Sequence, residues 1–136
     1  MLINLSNHPS SNWSGDQLDA AKKYGEIVDM QFPNISPDAS SNQIAILVNE
    51  YFEKIQQMGS NVNVVIHLMG EMTFTFMLIK RLQNAGYKCI ASTTQRIVEE
   101  VNANEKKVLF KFCQFREYKL LNTLFINVCF VRKCWE

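Results

Sequence analysis

The sequence has no glycine-rich phosphate loop: its five glycines are scattered, with neither GxGxxG nor a Walker lysine. That disfavours the usual modes of dinucleotide and nucleoside-triphosphate use. Histidine is scarce, and His8 and His67 with the four cysteines, Cys89, Cys113, Cys129 and Cys134, contain no CxxC spacing. No zinc set is expected, and the thiols read as buried and free. An excess of either charge is missing too, since 14 Lys and Arg face 13 Asp and Glu for a net charge of +1. Without a global field, neither long nucleic acid nor a membrane surface is an expected partner, and any anion must be held locally. The apolar run from Leu120 to Val131 is interrupted by Asn122 and Asn127 and is too short for a bilayer span. Met1 leads directly into a strand-like segment with no basic region ahead of a cleavable apolar stretch, so the expected location is the cytoplasm.

What is present is one domain's worth of chain, 136 residues of which 47% are hydrophobic. Its organising stretch runs from Val62 to Leu82. A charge-free, β-branched run suits a strand buried on both faces, and after Gly70 the spacing turns helical, with Met72, Phe76, Ile79 and Leu82 expected inward and Gly86 as the stop. The backbone N–H groups from Glu71 to Thr73 would then start a helix, where an anion is favoured.

In chain order, Leu2 to Leu5 reads as a strand and the polar segment from Ser6 to Asn12 as a turn. Asp16 to Tyr24 forms a short helix capped by Ser14 or Gly15, and Glu26 to Phe32 alternates as an edge strand ended by Pro33. Ser36-Pro37-Asp38 predicts the start of a long helix whose stripe is Ile44, Leu47, Val48, Tyr51, Phe52 and Ile55. Tyr87 to Ala91 is a further strand running into a polar segment from Ser92 to Arg96. Ile97 to Val101 fits a short helix, but the turn-like Asn102-Ala103-Asn104 before the alternating Val108 to Phe115 favours a β-hairpin.

The expected fold is therefore an α/β, Rossmann-like three-layer sandwich. Its mostly parallel sheet has the order 2-1-3-4 and is extended by a C-terminal β-hairpin. In that order the loops 6–12, 69–73 and 92–96 open on one carboxyl edge, where open α/β sheets bind ligands.

The edge supplies the hydroxyls of Ser10, Ser11, Thr73, Thr93 and Thr94, the amides of Asn7 and Asn12, the His8 imidazole and the Arg96 guanidinium. These groups suit a phosphate, with Arg96 as a bidentate fork. Glu71 is the sole carboxylate in the three loops, which disfavours a two-metal hydrolase. Each has a plainer use: His8 can hydrogen-bond its own loop, Thr93, Thr94 and Arg96 can shape a turn, and His67 reads as a satisfied core side chain. Arg116 belongs to the site only if the hairpin folds toward it.

Four segments carry a resemblance: Leu-Ile-Asn-Leu-Ser-Asn-His at residues 2–8, Met-Gly-Glu-Met-Thr at 69–73, Ala-Ser-Thr-Thr-Gln-Arg at 91–96, and Phe-Cys-Gln-Phe-Arg-Glu-Tyr at 112–118. Together they resemble the small CRISPR-associated ancillary proteins of type III systems, single Rossmann-like domains related to CARF domains, among which are ring nucleases. The resemblance implies a domain over residues 1–118 and leaves the apolar tail 119–136 outside it. It implies a homodimer that binds cyclic oligoadenylate and linearises it with neither metal nor cofactor. Arg96 would neutralise the phosphorane, Thr93 and Thr94 would hydrogen-bond its oxygens, and His8 would act as acid or base. The resemblance also places Asn7, Gly70, Glu71, Met72 and Thr73 around the ligand, and Ser10, Ser11, Ser92 and Arg116 are further contacts expected from the same edge. Gln95 stands where similar segments commonly carry an acid. The alternatives are a non-catalytic sensor or sponge for the same ligand, and a protein-interaction domain.

Overall fold

The computed structural model describes residues 1–121. Its strands are β1 (Leu2–Ser6), β2 (Ile27–Gln31), β3 (Val65–Met69), β4 (Lys88–Asn102) and β5 (Glu105–Glu117), and its α-helices are α1 (Gly15–Ala21), α2 (Ser41–Met58) and α3 (Met72–Asn84). The sheet order is β2-β1-β3-β4-β5; the first four strands are parallel and β5 returns antiparallel to β4. This is the expected mixed α/β sandwich with a C-terminal hairpin. No α-helix among the described residues is long and apolar enough to cross a membrane.

Alternation along the strands divides the core in two. Ile3, Leu5, Ile66, Leu68 and Cys89 pack against the buried stripes of α2 and α3, while Leu2 and Ile90 pack with Trp13 and Ala21 on the α1 side. The α2 stripe is Ile44, Val48, Tyr51, Phe52 and Ile55, as the spacing predicts.

Its start differs from the expectation. Ser36-Pro37-Asp38 forms a turn closed by the Ala39 amide on the Ser36 carbonyl at 3.0 Å. The helix begins at the next signal, where Ser40 Oγ accepts from the Gln43 amide and Gln43 Oε1 accepts from the Ser40 amide. This reciprocal box satisfies two donors, whereas Ser36 and Pro37 offer no such pair.

Helix α3 is also turned relative to the expected phase. Phe74, Thr75, Leu78, Ile79 and Leu82 face inward, whereas Met72 and Phe76 are 82% and 65% exposed. Phe74 sits edge-on to both Phe32 and Tyr51, with centroids 5.3 and 5.4 Å away. The Phe32 ring also lies so close to Gly70 that a Cβ there would collide with it. Gly70 thus serves packing at the strand–helix joint.

The largest departure is β4. Only Lys88 to Ile90 pair with β3; the strand then continues without a break through Ser92–Arg96, expected as a loop, into Ile97–Val101, the first arm of the expected hairpin, and pairs with β5 along its length. A bulge at Cys113 lets Gln114 face Thr93 and Phe112 face Thr94. The distal ribbon leaves Val98, Val101, Val108, Leu109 and Phe110 exposed. Tyr118 anchors the return, its hydroxyl donating to the Leu68 carbonyl at 2.8 Å and its amide to the Cys89 carbonyl. Cys89 is buried and its thiol is pushed up to about 12, chiefly by burial and then by Glu117. Cys113 is exposed, contrary to expectation, because it occupies the bulge. Cys129, Cys134 and residues 122–136 of the expected tail lie outside the described residues.

Candidate functional site

A cleft of about 550 Å³ opens where the carboxyl ends of β1 and β3 meet the shoulder of β4. The loop after β1 contributes Asn7 and His8, the turn before α1 contributes Asn12 and Trp13, and β3 ends in it with Met69 and Gly70. The ribbon contributes Ser92, Thr94 and Phe110, and α1 contributes Gln17. Amides, hydroxyls, the imidazoles of His8 at the rim and of the buried His67 at the floor, and aromatic faces therefore surround the space. Such a lining hydrogen-bonds the edge of a planar heterocycle and stacks on its face.

Among the expected site residues, Asn7, His8, Gly70, Ser92 and Thr94 line this cleft. Arg96 does not line it, but it pairs with Phe110 across the ribbon. Directly opposed residues project to the same face, so Arg96 stands on the cleft side, one step beyond Thr94. Thr93 alternates away from Ser92 and Thr94, and its hydroxyl donates to the Gln114 carbonyl at 3.2 Å. Arg116 is paired with Ala91 on that other face. Ser10 is engaged by Asp29, through its amide at 2.9 Å and its hydroxyl at 2.7 Å, and Ser11 is exposed in the same short 3-10 turn. Met72 opens instead onto a separate apolar groove with Phe76, Tyr118 and Leu120.

The start of α3 already holds an anion. Glu71 is the N-cap, its Oε2 accepting from the Phe74 amide at 2.8 Å while the Thr73 hydroxyl donates to the same carboxylate. The backbone bond from Phe74 and then the Thr73 hydroxyl hold this carboxyl below its ordinary value. The Glu71 carboxylate thus occupies the helix start that the sequence offered to phosphate and engages the Thr73 hydroxyl, and Gly70 alone of Gly70–Thr73 reaches the cleft.

Beneath the cleft lies a polar row that the sequence reading did not assemble. Asp29, Asn4 and His67 are the middle residues of β2, β1 and β3, and the register sets Asn4 opposite both of the others. Asn4 Nδ2 donates to Asp29 Oδ1 at 2.7 Å and to the His8 carbonyl at 2.9 Å. Asn4 Oδ1 lies 2.9 Å from His67 Nδ1, and His67 Nε2 lies 3.2 Å from Ser92 Oγ. Trp13 and Phe115 meet the His67 ring edge-on at 5.3 and 5.5 Å. A polar residue at the middle of each of three largely apolar strands, Leu-Ile-Asn-Leu-Ser, Ile-Val-Asp-Met-Gln and Val-Ile-His-Leu-Met, was the available signal. Trp13, Gln17 and Phe110 had no comparable one.

Burial lowers the His67 pKa from its ordinary 6.5 to about 4. Partial desolvation would raise Asp29, but the hydrogen bonds from Asn4 and from the Ser10 side chain and amide outweigh it and hold Asp29 below its ordinary value. Both groups act on stability in one direction. Between pH 6.5 and about 4 the unfolded chain takes a proton at His67 that the folded chain refuses. Its contribution is complete above pH 6.5 and falls by roughly 3 kcal/mol as pH drops through that window; the Asp29 contribution goes at lower pH. Urea unfolding at pH 7 and pH 4 is expected to show the loss, and a His67→Gln variant a smaller one. An equal loss in both chains would contradict it.

The molecule is thus a mixed α/β sandwich with a ligand-sized cleft at the carboxyl edge of its parallel strands. Residues 1–116 match the family described as the uncharacterized protein MJ1673 family, and the chain belongs to it. No curated protein and no solved structure matches the chain.

Proposed function

We propose that this protein binds cyclic oligoadenylate in the cleft and linearises it by attack of a ribose 2′-OH on the adjacent phosphate, as a Rossmann-like relative of CARF domains. The ligand class comes from the resemblance of segments 2–8, 69–73, 91–96 and 112–118 to type III ring nucleases. The observation that carries the proposal is the lining of the cleft: Asn7, Asn12 and Gln17 offer base-edge hydrogen bonds, Phe110 is 67% exposed for stacking, and Arg96 stands on the same face for a phosphate.

Attack by a neighbouring 2′-OH needs alignment and charge neutralisation, and neither requires a metal ion. Arg96 would meet the charge of the phosphorane, Thr94 would hydrogen-bond one of its oxygens, and His8 at the rim would serve proton transfer at the leaving oxygen. Thr93 takes no part, because its hydroxyl is turned to Gln114.

A cleft of about 550 Å³ holds only part of a ring of four or six nucleotides. A second copy would supply the other half, making a homodimer of two-fold symmetry. The projecting ribbon favours the same arrangement, since two strands with exposed Val98, Val108 and Phe110 are marginal without a third layer. Incubation with cyclic tetra- and hexa-adenylate in EDTA, followed by mass spectrometry, tests the activity. Linear products ending in 2′,3′-cyclic phosphate are expected, and intact rings of both sizes would contradict linearisation.

A further inference from the structure

The orientation of His67 can be deduced without seeing a proton. Asn4 Nδ2 faces only acceptors, the Asp29 carboxylate and the His8 carbonyl, so the Asn4 amide cannot be flipped. Its Oδ1 is therefore the atom toward His67 Nδ1, and at 2.9 Å Nδ1 must carry the hydrogen. With a neutral ring, Nε2 is left as a lone pair directed at Ser92 Oγ, 3.2 Å away. Ser92 Oγ also lies 3.1 Å from Met69 Sδ, but a thioether is a much weaker acceptor than an imidazole nitrogen, and that sulfur already accepts from the Ser92 amide. The Ser92 proton belongs to His67.

The consequence is a directed chain, Asp29 to Asn4 to His67 to Ser92, with Asp29 exposed at its outer end, Asn4 and His67 buried, and a hydroxyl on the cleft wall. His67 is only 2% exposed, so it reaches a ligand chiefly through Ser92. The Ser92 oxygen, its own proton turned inward, presents lone pairs outward. A hydroxyl used only to donate to a phosphate would have no need of an acceptor behind it. This is the arrangement of a base-assisted serine, built from strand-centred residues and so fixed in position.

We propose that Ser92 is the catalytic group that accepts the proton of the reacting ribose 2′-OH, with His67, Asn4 and Asp29 as positioning residues that draw Ser92's own proton inward. The substrate in this step rests on the linearisation proposed above; the tautomer of His67 does not. As the 2′-oxygen bonds to phosphorus, its proton moves to Ser92 Oγ and the Ser92 proton moves to His67 Nε2. The bond from phosphorus to the 5′-oxygen breaks, the departing oxygen takes a proton from His8 at the rim, which draws one from solvent, and His67 returns one to solvent. No proton is gained or lost overall. The positive charge passing through His67 is met by the negative charge on the phosphorane, and Asn4 Oδ1 keeps hold of Nδ1–H throughout.

Two measurements on the full chain decide it. Heteronuclear NMR of the histidine rings at neutral pH is expected to give His67 as the Nδ1–H tautomer, and an Nε2–H tautomer would overturn the proposal. In single-turnover cleavage of cyclic tetra-adenylate, Ser92→Ala is expected to be slower by about 100-fold, in the range of proton-transfer catalysis, with unchanged affinity for the 2′-deoxy ring. Cleavage by Ser92→Ala at the wild-type rate would overturn it, as would a loss confined to affinity. A wild-type chain that cleaves no ring overturns linearisation together with the Ser92 step. An Nε2–H tautomer, or undiminished Ser92→Ala, in a chain that does cleave overturns the Ser92 step alone.

Discussion

Replacing Arg96 by alanine is expected to weaken ring binding or turnover by roughly 100-fold while leaving the melting temperature nearly unchanged. Arg96 is exposed, stands on the cleft face of the ribbon opposite Phe110, and makes no ion pair among the described residues. Its loss therefore removes little from the fold. A guanidinium that gives two hydrogen bonds to phosphate at a partly dried interface is worth a few kcal/mol, which sets the factor. Lysine should restore only part of it, since a point charge replaces the planar fork. Calorimetric titration and melting curves on wild type, Arg96→Ala and Arg96→Lys test this together. Unchanged ligand handling with a much lower melting temperature would make Arg96 a structural residue.

The second large effect is on stability. Phe74→Ala is expected to cost about 3–5 kcal/mol, because the ring is fully buried between Phe32 and Tyr51 and its removal leaves a cavity. Phe76→Ala, two residues on, should cost less than about 1 kcal/mol, since that ring is largely exposed and the Lys80 ammonium over it, 5.7 Å from its centroid, adds little. Urea titration of the two variants compares them directly. The reverse ranking would mean that α3 presents its other face to the sheet.

That pair also marks where the sequence was ambiguous. Helix α3 has apolar residues nearly all round, so Met72-Phe76-Ile79 and Phe74-Leu78-Ile79-Leu82 both make helical stripes, and Thr75 in the buried stripe conceals the true one. The strand order was legible because short apolar runs alternate with helical ones, which leaves few topologies. The segment 92–96 was misread because its hydroxyls suggested a loop; what makes it a strand is pairing with Phe115, Gln114, Phe112, Lys111 and Phe110, a long-range fact.

At the site, Asn7, His8 and Gly70 could be placed from loop positions alone, and Ser92 and Thr94 from following the carboxyl end of the expected strand, although they belong to its continuation. Thr93 and Arg116 could not, because their facing depends on strand parity and on the bulge at Cys113. Asn4 and Asp29 were lost for a different reason. A polar residue at the middle of a largely apolar strand means little until the register brings three of them side by side.

The most direct test of the central claim is calorimetric titration of the wild-type chain with 2′-deoxy cyclic tetra-adenylate, which lacks the attacking hydroxyl and stays intact. The expected result is saturable binding of one ring per two chains, weakened by Arg96→Ala. Absence of any binding heat, in a sample that also leaves the ribose ring uncut, would contradict the account.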